Sequence, residues 1–122
     1  MTGTVTDIAG VRAYVCAADG PQIATDRDVS DLLGEMFSVR APWVVIPVAR
    51  LAPAFFDLKT RFAGEMLQKL VNYDRRVVIL GDIADAVAAS NSLRDFVRES
   101  NRGKTVWFLA DMAELEARLL KA

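Results

Sequence analysis

Apolar residues recur along this chain in two rhythms, and the switches between them mark its elements. Thr4 to Ile8 and Val11 to Ala17 read as two short strands around Ala9-Gly10, a spacing that suits a tight hairpin. Gly20-Pro21 then breaks the chain. Asp28 to Phe37 is predicted helical: Val29, Leu32, Leu33, Met36 and Phe37 share one face, and Asp26 and Asp28 lie near the positive end. Ala41-Pro42 stops that helix, and Trp43 to Val48 follows as a strand without polar alternation. Arg50 to Phe56 is a connector containing Pro53.

Helical spacing returns from Asp57, with Leu58, Phe62, Ala63, Met66, Leu67, Leu70 and Val71 on one face and Asp57 as the N-cap. Gly64 interrupts this run at a cost of ~1 kcal/mol relative to alanine, so close packing of helix on sheet is expected there. Val77-Val78-Ile79-Leu80 has no alternation, as expected of a strand covered on both faces. Ile83 to Ala89 is Ala-rich and weakly patterned, a loop with a turn of helix. Ser92 to Ser100 is a short helix capped by Ser92, with Leu93, Phe96 and Val97 inward and Gly103 as its left-handed terminal residue. Thr105 to Leu109 is the last strand. Asp111 and Glu114 open a final helix that turns Leu115, Leu119 and Leu120 inward.

This order predicts an α/β fold: one layered domain spanning residues 1–122, with a mixed, mostly parallel sheet of about five strands and about four helices. The N-terminal hairpin forces one antiparallel pairing at or near an edge. A chain of 122 residues with 52% hydrophobic content has ample core for a single domain.

Charge narrows the partners. The net charge is −1 and the signs are interspersed, which argues against nucleic acid. The single cysteine, Cys16, has no internal disulfide partner and suits a reducing cytoplasm. No basic-then-apolar leader and no apolar run near about 18 residues is present, so neither secretion nor a membrane span is expected. With no histidine, a Ser-His-Asp or Cys-His system and a histidine-ligated zinc site cannot be built. No phosphate-loop or dinucleotide glycine pattern occurs, and no cofactor or metal is expected.

Two stretches carry a resemblance. FFDLKTRFAGEMLQKLVNY (Phe55 to Tyr73) followed by VVILGD, and SLRDFVRESNRG (Ser92 to Gly103), resemble the bacterial family catalogued as domain of unknown function 4180. That family often has glycine where this chain has Arg61, and it implies a fold without implying an activity. The element order also resembles, more weakly, the STAS domain of anti-sigma-factor antagonists. In that group a serine or threonine opening the helix after the third strand is phosphorylated and controls partner binding. The matching position here falls near Asp57 and Thr60, although Asp57-Leu58-Lys59-Thr60 lacks the usual Asp-Ser-Ser/Thr-Gly signature.

In open sheets of this kind ligands gather beyond the carboxyl ends of the strands. Arg50, Asp57, Lys59 and Thr60 are expected there after the third strand, Asp82, Ser90 and Asn91 after the fourth, and Asp111 after the fifth. Asp57 and Asp111 are explained as helix caps, and Asp82 is the least explained acid. If the chain is an enzyme, Asp57, Asp82 and Glu65 are its candidate general bases, since a buried carboxyl can be tuned to that role. If it is a binding module, the candidates are Arg50, Phe55, Phe56, Lys59, Thr60 and Arg61 around the rim, and the stripe of Arg94 and Arg98 with Arg102. Phe55-Phe56 would then be an exposed contact or the lining of a small apolar pocket. The leading reading is a small cytoplasmic binding or regulatory module that meets a protein partner or itself. A small enzyme, or a protein that binds a small apolar ligand, is the alternative.

Overall fold

The computed structural model describes residues 3–121. Five strands form one sheet in the order β1 (Gly3–Ile8), β2 (Val11–Cys16), β3 (Trp43–Pro47), β4 (Arg76–Leu80) and β5 (Val106–Leu109). β1 and β2 pair antiparallel, and the other neighbours pair in parallel. Ala9 (φ 49°) and Gly10 (φ 87°) both take left-handed backbone, which is the two-residue turn whose twist matches its strands. The Asp7 carboxylate accepts the Gly10 N–H at 2.9 Å and fixes that turn.

Strands that step in one direction with right-handed crossovers place their connecting helices on one face. The helices α1 (Asp26–Ser38), α2 (Phe62–Asn72) and α4 (Asn91–Arg102) therefore share a face. Their apolar sides close over Tyr14, Val44, Ile46, Val77, Ile79 and Phe108 to make the larger core. α5 (Met112–Lys121) follows the last strand and covers the other face, where Leu115 packs on Trp43, Val45, Val78 and Trp107. The two indoles lie 5.3 Å apart, with Arg76 over Trp43 and Arg118 over Trp107 as cationic lids. Val77, Val78 and Ile79 are buried in a strand flanked on both sides, as their lack of alternation implies.

The helices α1 and α2 end where the sequence pattern expects, each just before a non-glycine residue in left-handed backbone. Arg40 (φ 56°) ends α1 and Asp74 (φ 60°) ends α2. Thr25, which the pattern did not single out, caps α1 in a reciprocal box with Asp28.

Asp57 does not cap α2. It caps a separate 3-10 turn, Leu58–Thr60, by accepting the Lys59 N–H at 3.2 Å. Arg61 (φ 65°) then reverses the chain, so α2 starts at Phe62.

Smaller corrections follow the same logic. Ile83 to Ala89 contains a distinct short helix, α3 (Ala84–Ala89), which brings the α-helices among the described residues to five. α4 is capped by Ser90 and not Ser92, and Gly103 takes ordinary negative φ (−87°). Leu120 is 76% exposed, because the α5 contact ends near Leu119. Gly64 lies exposed with open space where a Cβ would stand, so close packing does not explain it.

Candidate functional site

Beyond the carboxyl ends of β3 and β4 the chain makes two 3-10 turns, Pro53–Phe56 and Leu58–Thr60, and then α3. Proline at the first helical position of Pro53–Phe56 presets the turn and tips its two aromatics apart. Phe55 goes wholly into the core, while Phe56 stays half-buried at the surface. Their rings meet edge-on at 5.1 Å, so the buried ring holds the outer one in place.

Phe56 is the wall shared by two open grooves. One, of about 380 Å³, is lined by Asp57, Leu58, Lys59, Ala86, Ala89 and Ser90 along with Phe56. The other, of about 230 Å³, is lined by Val48, Asp82, Ile83, Asp85 and Ala86 with Phe56. Asp57 and Asp82 thus line different grooves, which have Phe56 and Ala86 in common. Glu65 lines neither: it sits on the outer face of α2 beside Gly64 and Gln68.

Three acids on this rim already have a structural task. Asp57 holds the Lys59 amide, Asp82 accepts the Ala84 N–H at 2.9 Å, and Asp111 accepts the Glu114 N–H at 2.9 Å. Asp57, Asp82 and Asp111 are all exposed. Thr60 is engaged as well. Its hydroxyl lies 2.7 Å from the Ala54 carbonyl and 2.8 Å from that of Asp57, and it accepts the Phe62 N–H at 3.2 Å. It is the joint between the 3-10 turns and α2. Lys59 and Arg61 flank it as exposed side chains.

The family whose sequence pattern matches residues 8–119 is described as Domain of unknown function (DUF4180). This chain belongs to it. No curated protein and no solved structure matches. The DUF4180 match runs from the end of β1 into α5, so it takes in the rim and every groove residue named above.

Arg50 has a different place from the one expected in this DUF4180 chain. It is 5% exposed, and its guanidinium reaches back to the loop between β2 and α1. Nε donates to the Pro21 carbonyl at 2.6 Å and Nη1 to the Ala17 carbonyl at 2.9 Å. Ile23 completes the clamp by bridging Leu51, with its N–H on the Arg50 carbonyl at 2.6 Å. Beside it the Tyr14 hydroxyl donates to Glu35 at 3.1 Å, and Asp28, Asp31 and Glu35 line a crevice of about 180 Å³ with Arg50. The Ala24 N–H holds the Asp28 carboxyl below its ordinary 3.8. Glu35 lies between the buried Leu32 and Met36 on α1, a polar residue at an apolar position, and that was the readable signal of this cluster.

The arginine stripe on α4 is paired along its length. Arg98 reaches Asp95 at 2.9 Å, Arg102 reaches Glu99 at 3.3 Å and Arg94 lies 3.6 Å from Asp95. Elsewhere Lys69 bonds Asp26, Arg75 stacks on Phe37 and Arg76 covers Trp43. Burial pushes the Cys16 thiol from its ordinary 9.0 up to about 11, which is the behaviour of a core residue. Among the described residues no group of three or more acidic or thiol side chains converges as a metal ion would require, and no helix is long and apolar enough to cross a membrane.

Proposed function

We propose that this chain is a small cytoplasmic binding or regulatory module, acting through contact with a protein partner or with a second copy of itself, and that the rim around Phe56 is its working surface. The observation that carries this reading is the position of Phe56: half-buried, braced by Phe55, and shared by two grooves in which Asp57 and Asp82 each already hold a backbone amide. A fixed aromatic between small apolar residues is an anchor for a partner side chain. The likeness in element order to STAS domains, which work by docking, points the same way. Phosphorylation of Thr60 would replace the hydroxyl that joins the turns to α2, and so would rearrange the segment carrying Phe56.

Immobilised wild-type protein and a Phe56→Lys variant, compared on extract of the host, test the reading. A protein retained by the first and lost from the second, with circular dichroism unchanged, supports it. Identical retention by both overturns it. Intact mass of the protein purified from its host reads the state of Thr60 directly.

A second reading rests on the smaller groove. Asp82 and Asp85 stand beside Val48, Ile83 and Phe56, an arrangement that would take a small ligand with an apolar body and a cationic group. A melting-temperature screen of such amines, repeated with Asp82→Asn, separates it from the partner reading.

A further inference from the structure

The two borders of the sheet are finished differently. At β5 the outward-facing N–H and C=O of Phe108 are taken up by the side-chain carboxamide of Asn101 on α4. At β1 the register Ile8↔Val11 closes the two-residue turn, and hydrogen-bonded pairs then recur at Thr6↔Ala13 and Thr4↔Val15. The N–H and C=O groups of Gly3, Val5 and Asp7 therefore point away from β2. Among the described residues no other segment bonds them. β1 also lacks the usual edge guards: it has no lysine and no proline, and its one charge, Asp7, is turned to the Gly10 amide.

We propose that β1 pairs antiparallel with β1 of a second copy of this chain, across a two-fold axis through Val5, so that two five-stranded sheets become one. The argument for self-pairing over an unrelated strand is that Thr4-Val5-Thr6 reads the same in both directions. A two-fold axis at Val5 sets Val5 against Val5 on the α1 side and Thr4 against Thr6 on the other, both favourable cross-strand pairs. It also sets Asp7 against Gly3, so no like charges meet. Centring the axis on Thr6 instead would put Asp7 against Val5 and leave Gly3 without a partner. The free backbone supplies the affinity and the palindromic side chains supply the register. This names the partner and surface for the self-association named above and rests on that reading. The rim around Phe56 is left untouched, so its binding is scored separately.

Light scattering on the full chain across micromolar to millimolar concentrations is the test. The wild type is expected at twice the 13.4 kDa chain mass, with the Val5 amide protected from hydrogen exchange. Thr4→Lys with Thr6→Lys changes two exposed side chains, leaves the monomer folded, and sets lysine against lysine at the axis. It should weaken the dimer at least ~100-fold, since like-charge juxtaposition across an interface costs several kcal/mol. Thr4→Glu with Thr6→Glu should do the same, and mixing the two variants should restore the doubled mass. A wild type that stays at 13.4 kDa throughout overturns the proposal, as does a dimer unmoved by the lysine pair or an unprotected Val5 amide.

Discussion

The carboxamide of Asn101 acts as a one-residue strand for Phe108. Its Oδ1 accepts the Phe108 N–H at 2.7 Å and its Nδ2 donates to the Phe108 carbonyl at 3.2 Å, the same pair of bonds a sixth strand would make. Arg118, stacked 4.1 Å over Trp107, donates to the Asn101 backbone carbonyl and ties α5 to the same corner. Asn101→Ala leaves two part-buried backbone groups unpaired, which should cost about 2 kcal/mol. Urea unfolding followed by tryptophan fluorescence should show a lower midpoint with an unchanged slope. The variant should also aggregate sooner, because a second sheet border is now open.

Arg61 holds left-handed backbone at φ 65° between the Leu58–Thr60 turn and α2. A side chain there carries a steric cost that glycine avoids. Arg61→Gly should therefore stabilise the protein by about 0.5–1 kcal/mol, since the steric relief outweighs the entropy glycine adds to the unfolded chain. Arg61→Val should destabilise it, as a branched Cβ fits that region worst. Paired urea denaturation curves check both signs, and a loss of stability in the glycine variant would contradict the account.

Gly64 makes the opposite case, being exposed within α2 with nothing near a Cβ. Gly64→Ala should add about 1 kcal/mol through helix propensity alone. A thermal melt showing no gain would mean the position serves something other than the folded monomer.

What could be read from the residues alone was what side-chain pattern dictates. The unbroken apolar runs at Val77–Leu80 and Val106–Leu109 became inner and border strands, and the Ala9-Gly10 hairpin closed as expected. Asp111 with Glu114 opened α5 because a cap is a local arrangement of neighbouring residues. The misplaced start of α2 has a local cause. Arg61 takes a conformation usually signalled by glycine, so nothing in its identity announced that α2 begins only after it. The residues expected around the rim follow β3 and β4 in the chain, yet Arg50 turned inward and Asp57 and Asp82 fell in separate grooves. Those outcomes depend on the path of the 3-10 turns, which follows from tertiary packing and not from periodicity.

Cys16 gives the fold an alkaline limit. Its thiol is raised from 9.0 to about 11 by burial, so the folded state keeps its proton where the unfolded state has lost it. Between those values the unfolded chain binds fewer protons, and stability falls as pH rises. Its contribution is fully present below pH 9 and is lost toward pH 11. Cys16→Ala should flatten that limb of a stability-against-pH curve relative to wild type. In the native protein at neutral pH the thiol should resist alkylating reagents until denaturant is added.

Gly20 and Arg50 make the most demanding prediction, because each explains the other. A Cβ at Gly20 would stand 2.5 Å from Arg50 Nη1, so the glycine is required by the arginine and not by its own backbone angles. The arginine, in turn, is retained inside by the carbonyls of Pro21 and Ala17. Arg50→Ala strands those carbonyls and opens a void, which should cost about 3 kcal/mol. Arg50→Lys should recover little, since an ammonium cannot present the fork that reaches both carbonyls. Gly20→Ala alone should cost about 1–3 kcal/mol through overpacking. In the Arg50→Ala background, however, the new methyl meets empty space, and its cost should shrink to a few tenths of a kcal/mol or vanish. Urea denaturation of the four proteins measures that coupling. Strict additivity would show that Gly20 is needed for some other reason, and that the guanidinium does not organise the loop.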